Sequence, residues 1–325
     1  MKTVVTGGAG FIGSHLVKRL LDEGREVTVA DDFSRGSVLN LHDLGVETEI
    51  RKADLRDYSQ AAEALSGADV VFHLAASVGS VEYLHRDEMA ELRALQSNLA
   101  IDTNVFRICL EKKVRKIVYA SSVSVYPIDL QQKPGAVFSE ESLQYFNPEG
   151  GYGWAKLLGE IQLGWMKNIS RGMARIFNVY GPCTTLGETA QVVPALMSKA
   201  LMYPKKDFII WGNGTQSRCF LYVSDCVDAL VKLEAKVSDK PVVVNVGSDQ
   251  TIPVSMLAEK IVKISEKNID IEYDPSKPVG PISRTANINK AGLLLEWQPK
   301  TSLDEGLRST YDWVEKRLTR TQSFL

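Results

Sequence analysis

The chain is poor in cysteine and histidine, with four of each among 325 residues. Cys109, Cys183, Cys219 and Cys226 make no Cys-x-x-Cys pair, and His15, His42, His73 and His85 show no ligand spacing. Zinc sites and disulfide frameworks are poor readings of such a set, and no metal site is expected. An excess of one charge is also missing. The net charge is −2, so nothing points to nucleic acid or to an anionic membrane. No apolar run is long enough to span a bilayer. The start, Met1 to Val5, reads as a strand and not as a signal segment. A reducing cytoplasm is the expected setting. No internal repeat or low-complexity tract interrupts the chain. What remains is the composition of a globular protein long enough for one large domain or two.

The first half alternates strand and helix. Short β-branched runs predict strands at Thr3–Thr6, Glu26–Ala30, Thr48–Lys52, Val70–Leu74 and Lys116–Ala120. Helical patterns lie between them at Gly13–Glu23, Tyr58–Leu65 and Leu92–Lys112, and another comes later at Tyr152–Lys167. A strand is expected at Ala174–Val179. This alternation predicts an α/β fold, a Rossmann-type doubly wound parallel sheet with a smaller C-terminal α/β part. From about Gly181 glycine and proline become frequent. Helices are expected at Val192–Met202, Ser224–Ala235, Val254–Ser265 and Leu303–Leu318, with strands at Phe208–Trp211 and Val242–Val246. The expected division is a nucleotide-binding domain over 1–180, with about 215–250 returning to it, and a second domain over most of 181–325.

The segment Thr6-Gly7-Gly8-Ala9-Gly10-Phe11-Ile12-Gly13 ends the first strand and opens the first helix. Glycine serves three needs there: a tight turn, backbone approach to a pyrophosphate, and close helix–strand packing. The helix N-terminus then offers free N–H groups to the phosphates. Asp31 ends the second strand at about the 20-residue offset of a ribose-binding acid. A carboxylate there favours NAD over NADP, while Arg35 is the counter-signal. Tyr152 and Lys156 stand at i and i+4, hence on one helix face. An ammonium beside the phenol is expected to lower its pKa and make it a general base. Ser122 ends a buried strand, where its hydroxyl reaches the sheet's carboxyl edge. Arg218 comes after a Gly-Asn-Gly turn, which suggests an exposed loop reaching for phosphate.

With these residues in hand, the chain resembles the extended short-chain dehydrogenase/reductases. It is most similar to the NAD-dependent nucleotide-sugar epimerases and dehydratases. Further segments carry the likeness: Asp54-Leu55, His73 to Ala76, Asn98, Ser121 to Pro127, Arg175 to Pro182, Trp211 to Arg218, and Arg284. The resemblance implies NAD contacts at Gly7, Gly10, Phe11, Ile12, Gly13, Asp31, Asp32, Ser34, Arg35, Asp54, Leu55, Leu74, Ala75, Ala76, Asn98, Ser121, Tyr152, Lys156, Phe177 and Val179. It implies nucleotide-diphosphate-sugar contacts at Val78, Gly79, Ser80, Ser122, Ser124, Tyr126, Asn178, Val192, Val193, Arg218 and Arg284. Catalysis would fall to Tyr152, Lys156, Ser122 and Ser124. A homodimer through the helices near Leu92–Lys112 and Tyr152–Lys167 is expected on the same ground.

The shared opening step of that family is oxidation at C4 of the sugar. The fate of the resulting ketone depends on neighbouring residues. The 4,6-dehydratases carry an Asp-Glu pair where Val123 and Ser124 stand, and the UDP-glucuronate decarboxylases a glutamate at the place of Ser124. Overall likeness favours the GDP-mannose 3,5-epimerases, through Ala76 to Leu84 and Gly306 to Trp313. Those enzymes use a cysteine base where Ser124 stands, and a lysine acid that the run Thr189 to Val193 lacks. A C4 epimerisation needs neither residue, so C4 epimerisation is the expectation. The 3,5-epimerase reading, another NAD-dependent nucleotide-sugar dehydratase or decarboxylase, and a non-catalytic NAD-binding regulator stay open, as do the nucleotide base and the sugar.

Overall fold

The computed structural model describes residues 1–79, 86–277 and 279–322. Its centre is a seven-stranded parallel sheet. The strands are β1 (Lys2–Thr6), β2 (Glu26–Asp31), β3 (Glu49–Lys52), β4 (Val70–His73), β5 (Lys116–Ser122), β7 (Ser170–Ile176) and β12 (Val242–Val246), after a short β6 (Val137–Phe138) outside that sheet. Their order is β12-β7-β5-β4-β1-β2-β3. Successive residues of a strand face opposite sides of a sheet. Val5 packs with Leu16, Val29 and Phe72 on one face; Val4 packs with Val71, Phe106 and Ile117 on the other. Both sides are therefore apolar and both carry helices, as a doubly wound sheet requires. Helices Phe11–Asp22 and Val223–Lys236 cover the first face. Helix Glu88–Glu111 covers the second and packs along helix Gly150–Trp165.

The strand order reverses between β1 and β4. A crevice opens at such a switch point, outside the strands' carboxyl ends. Thr6, His73 and Ser122 close their strands there. After β7 the chain builds β8 (Val179–Tyr180), β9 (Phe208–Trp211), β10 (Ser217–Cys219) and β11 (Leu221–Tyr222). It adds β13 (Thr251–Pro253), β14 (Ile271–Asp274) and β15 (Ser283–Ala286) beyond β12. A second, four-stranded sheet has the order β13-β10-β15-β6. Helices Val192–Met202, Val254–Ser265 and Leu303–Gln322 enclose a separate core with Phe208 and Ile210 of β9.

The expected strand at Ala174–Val179 is displaced. It runs from Ser170 to Ile176 and stops where Asn178 takes a φ of 28°. Val179 and Tyr180 then leave the main sheet to pair with β11. The short strands β6, β10, β11 and β13 to β15 lie outside the strands expected from local pattern. Each holds its place through partners far along the chain, as in the pairing of Ser217 and Arg218 with Ser283 and Arg284.

Candidate active site

The glycine turn forms at the end of β1. Gly7 adopts a φ of 69° and passes so close to the β4 end that a Cβ would lie 2.8 Å from the Ala75 nitrogen. A Cβ on Gly13 would lie 2.1 Å from the Gly7 carbonyl. Only glycine fits at either position. Gly10 caps helix Phe11–Asp22 without any side-chain cap, and Phe11 and Ile12 pack partly against the core. Asp31 braces the turn from β2. Its Oδ2 accepts the Ala9 N–H at 2.9 Å and its Oδ1 the Phe33 N–H at 2.8 Å. Burial pushes the Asp31 carboxyl upward, and those two N–H donors oppose this. Asp32 accepts from both the backbone and the hydroxyl of the exposed Ser34. Arg35 lies on the same loop, and Asp54 pairs with Arg56 at 2.7 Å. Leu55 is buried in the second face's core.

The β4 end is fixed by Thr6, whose Oγ1 accepts the Leu74 and Ala75 N–H groups. Asn98 is buried and holds the adjoining loop, accepting from Ser77 N at 2.7 Å and donating to Ser77 O at 3.0 Å. Ala76, Val78 and Gly79 lie half-buried along that loop. Ser80 lies outside the described residues.

Helix Gly150–Trp165 brings Tyr152 to the β5 end, where the Ser122 hydroxyl hydrogen-bonds the phenol. Ser122 Oγ also accepts the Ser124 N–H at 3.1 Å and so shapes the turn Val123–Val125. The expected depression of the Tyr152 pKa is not observed. Burial pushes the phenol up to about 12, and Ser122 and Arg284 pull the other way. The i,i+4 spacing does place Lys156 on the same helix face, but its Nζ lies over the Tyr119 ring, 4.5 Å from the centroid. Lys156 is 1% exposed, and its Nζ has no hydrogen-bond partner among the described residues. A buried ammonium in this condition is costly. A dinucleotide's ribose hydroxyls would satisfy it, and the glycine turn ends in a helix N-terminus with no side-chain cap, which suits a pyrophosphate. These residues fit NAD on both counts.

Three carboxylate or guanidinium groups converge beside Tyr152. Glu149 immediately precedes its helix and accepts the Ser124 hydroxyl at 2.9 Å. The same carboxylate pairs with Arg284, whose Nε donates to Gln131 at 2.7 Å. Arg218 is not on a loop: it lies in β10, in register with Arg284 of β15. Both are largely buried. Burial and the neighbouring Arg284 lower the Arg218 pKa to about 9. Two guanidiniums against one carboxylate leave a positive spot that a diphosphate would neutralise.

Several expected contacts are spent elsewhere. The Tyr126 side chain is fully buried against Phe138 and donates to Asn245 at 2.6 Å. Phe177 is fully buried in the same cluster, Val179 lies in the first face's core, and Val193 in the C-terminal core beside the partly buried Val192. Ser121 donates to buried Glu160, which grips Arg175. Asn178 donates to the Cys219 carbonyl at 3.1 Å. These positions offer backbone or shape to a ligand, not free polar side chains. Glu149 escapes sequence reasoning, since no motif marks a lone glutamate before a helix.

The likeness to known proteins agrees with this geometry. The profile of the NAD dependent epimerase/dehydratase family matches residues 3–247. GDP-mannose 3,5-epimerase of Arabidopsis thaliana is 29% identical over 99% of this chain and 84% of its own. The UDP-glucose 4-epimerase of Thermotoga maritima, solved with UDP-glucose, superposes with a TM-score of 0.87 at 28% identity, covering 98% of this chain and 100% of that one. The Thermus thermophilus UDP-glucose 4-epimerase, solved with NAD, gives 0.83 at 27%, covering 97% and 99%. With its glycine cradle, its orphaned lysine and its paired Tyr152 and Ser122, the chain belongs to the NAD dependent epimerase/dehydratase family.

Proposed function

We propose that the chain is an NAD-dependent nucleotide-sugar 4-epimerase. The observation that carries this reading is the surroundings of Ser124. Its hydroxyl donates to Glu149, and Val123 beside it is buried and apolar. An acid and base for dehydration or for proton exchange at C3 and C5 are thus missing at the positions where other family members keep them. What remains is Tyr152 and Ser122 on one sugar oxygen, which suffices for oxidation and return at C4.

NAD, held by the glycine turn, Asp31 and Lys156, would supply a reversible hydride acceptor for C4. Tyr152 takes the proton of the C4 hydroxyl as the ketone forms and gives it back when the ketone is reduced. Ser122 holds the same oxygen by a hydrogen bond. Lys156, whose buried ammonium has no hydrogen-bond partner among the described residues, would hold the cofactor ribose. Asp31, Asp32 and the glycine turn hold the adenosine and pyrophosphate, over residues 1–180 with 215–250 returning to that unit. Arg218 and Arg284 hold the substrate diphosphate over the C-terminal part. The four cysteines are free and buried, which suits a reducing cytoplasm.

The test is incubation with UDP-, GDP-, CDP- and dTDP-sugars in deuterated water, reading product stereochemistry by NMR. Inversion at C4 without deuterium at C3 or C5 is expected. Rapid deuterium uptake at those carbons would instead establish the 3,5-epimerase reading, which the Arabidopsis relative favours.

A further inference from the structure

A hydrogen-bonded chain crosses the sheet's second face and ends under Lys156. Thr6 Oγ1 and His73 Nδ1 are 2.7 Å apart; His73 Nε2 and Asp102 Oδ1 are 3.1 Å apart; the Tyr119 hydroxyl donates to Asp102 Oδ2 at 2.6 Å. Its members are fully or almost fully buried. The direction of each bond is set by valence. Thr6 Oγ1 already accepts two backbone N–H groups, so its hydrogen goes to His73 Nδ1. Nε2 then carries the ring hydrogen and donates it to Asp102. Asp102 therefore accepts on both oxygens, as an ionised carboxylate does. Burial holds His73 below its usual range, hence neutral.

Asp102 is left with a negative charge and two neutral donors. Glu160, the other carboxylate acting on Lys156, is already matched by the buried Arg175 at 2.7 Å. The buried cation that faces this chain is Lys156, whose Nζ lies over the Tyr119 ring. Burial draws the Lys156 ammonium downward, and Asp102 first, then Glu160, draw it back up. Tyr119 links the two: its hydroxyl meets the carboxylate and its ring face meets the ammonium. A phenol that donates to a carboxylate has a more electron-rich ring, which strengthens the cation–π contact. The room for this link depends on Gly159, where a Cβ would lie 2.3 Å from the Tyr119 hydroxyl and 2.7 Å from Asp102.

We propose that Asp102 is a positioning residue of the active site, supplying the counter-charge that seats the Lys156 ammonium through the Tyr119 ring. The same chain ties that ammonium to Thr6, the residue before the phosphate-binding turn. The groups facing Lys156 are Asp102 from helix Glu88–Glu111, His73 from β4, Tyr119 from β5, and Glu160 from its own helix.

The test compares the parent protein with Asp102→Asn, Tyr119→Phe and Lys156→Met. NAD binding to the substrate-free protein is measured by calorimetry from about pH 6 to about pH 10, a range reaching the lysine region. The parent should lose affinity along an alkaline limb that Lys156→Met abolishes. In Asp102→Asn that limb should move about one unit toward acid, about a tenfold loss of affinity within the window. Tyr119→Phe should shift it the same way by less. Urea midpoints give a second reading. The unfolded chain binds more protons than the folded one between the folded and unfolded lysine pKa values, so stability rises with pH across that window. Asp102→Asn should extend the rise to lower pH. An unmoved limb with affinity lowered equally at every pH would overturn the proposal. If Asp102→Asn does not fold, Tyr119→Phe decides alone by the same criterion. The proposal rests on the NAD-contacting role of Lys156 and not on the C4 outcome, so a failed product assay beside a shifted limb would sink only the epimerase reading.

Discussion

At the Tyr152 hydroxyl, burial and hydrogen bonding oppose each other, and burial wins: the phenol is held near 12. A base in that state needs help from its partners, and Ser122 is the partner in contact. Removing the phenol oxygen should therefore stop turnover without emptying the cofactor site. We expect Tyr152→Phe to lose about a hundred- to ten-thousandfold in turnover while NAD affinity stays close to the parent's. Steady-state rates beside calorimetry check this; full activity in the variant would remove the phenolate from the mechanism. Tyr152, Lys156 and Ser122 were legible because spacing and strand-end position carry chemistry by themselves. The upward shift of the phenol pKa was not, because spacing says nothing of how deeply a ring is buried. Nor was the seat of Lys156, since Asp102 and Tyr119 come from other elements and carry no motif.

Elements show the same division between local and distant information. Strands β1 to β5 read correctly because each falls in a run rich in β-branched residues that needs no partner to be recognised. β10 did not, because Ser217, Arg218 and Cys219 become a strand only between β13 and β15. That pairing changes what Arg218 can do. In a loop it would be solvated at little cost; in β10 it is buried beside Arg284, and both effects depress its pKa to about 9. The cost is present wherever the guanidinium is charged, hence at all pH values near neutrality. Arg218→Met should accordingly stabilise the ligand-free protein, by on the order of 1 kcal/mol in urea unfolding. The same change should raise KM for the nucleotide sugar and leave NAD affinity alone. A variant that is less stable, with KM unchanged, would mean that Arg218 serves the sheet and not the diphosphate.

The whole molecule leaves apolar side chains on two helices that pack on one another. Met89 and Leu92 are exposed on Glu88–Glu111, and Trp154 and Trp165 on Gly150–Trp165, the tryptophans by 40% and 76%. Single exposed apolar residues are ordinary, but large aromatics on paired helices are a feature of interfaces. These helices also carry Tyr152, Lys156 and Asp102, so their outer faces and the active site share one rigid support. A stable interface needs about 800 Å² from each partner, which two adjacent helices of this length can supply. The expected state is a dimer across that face. Leu92→Glu combined with Trp165→Glu places two charges where the partner would have to desolvate them. Sedimentation velocity should then report a monomer where the parent sediments as a dimer, and the Tyr152 site should lose stability together with its helix. A parent that sediments as a monomer at assay concentration, with both tryptophans exposed to fluorescence quenchers, would overturn the dimer and leave the exposed aromatics as surface residues.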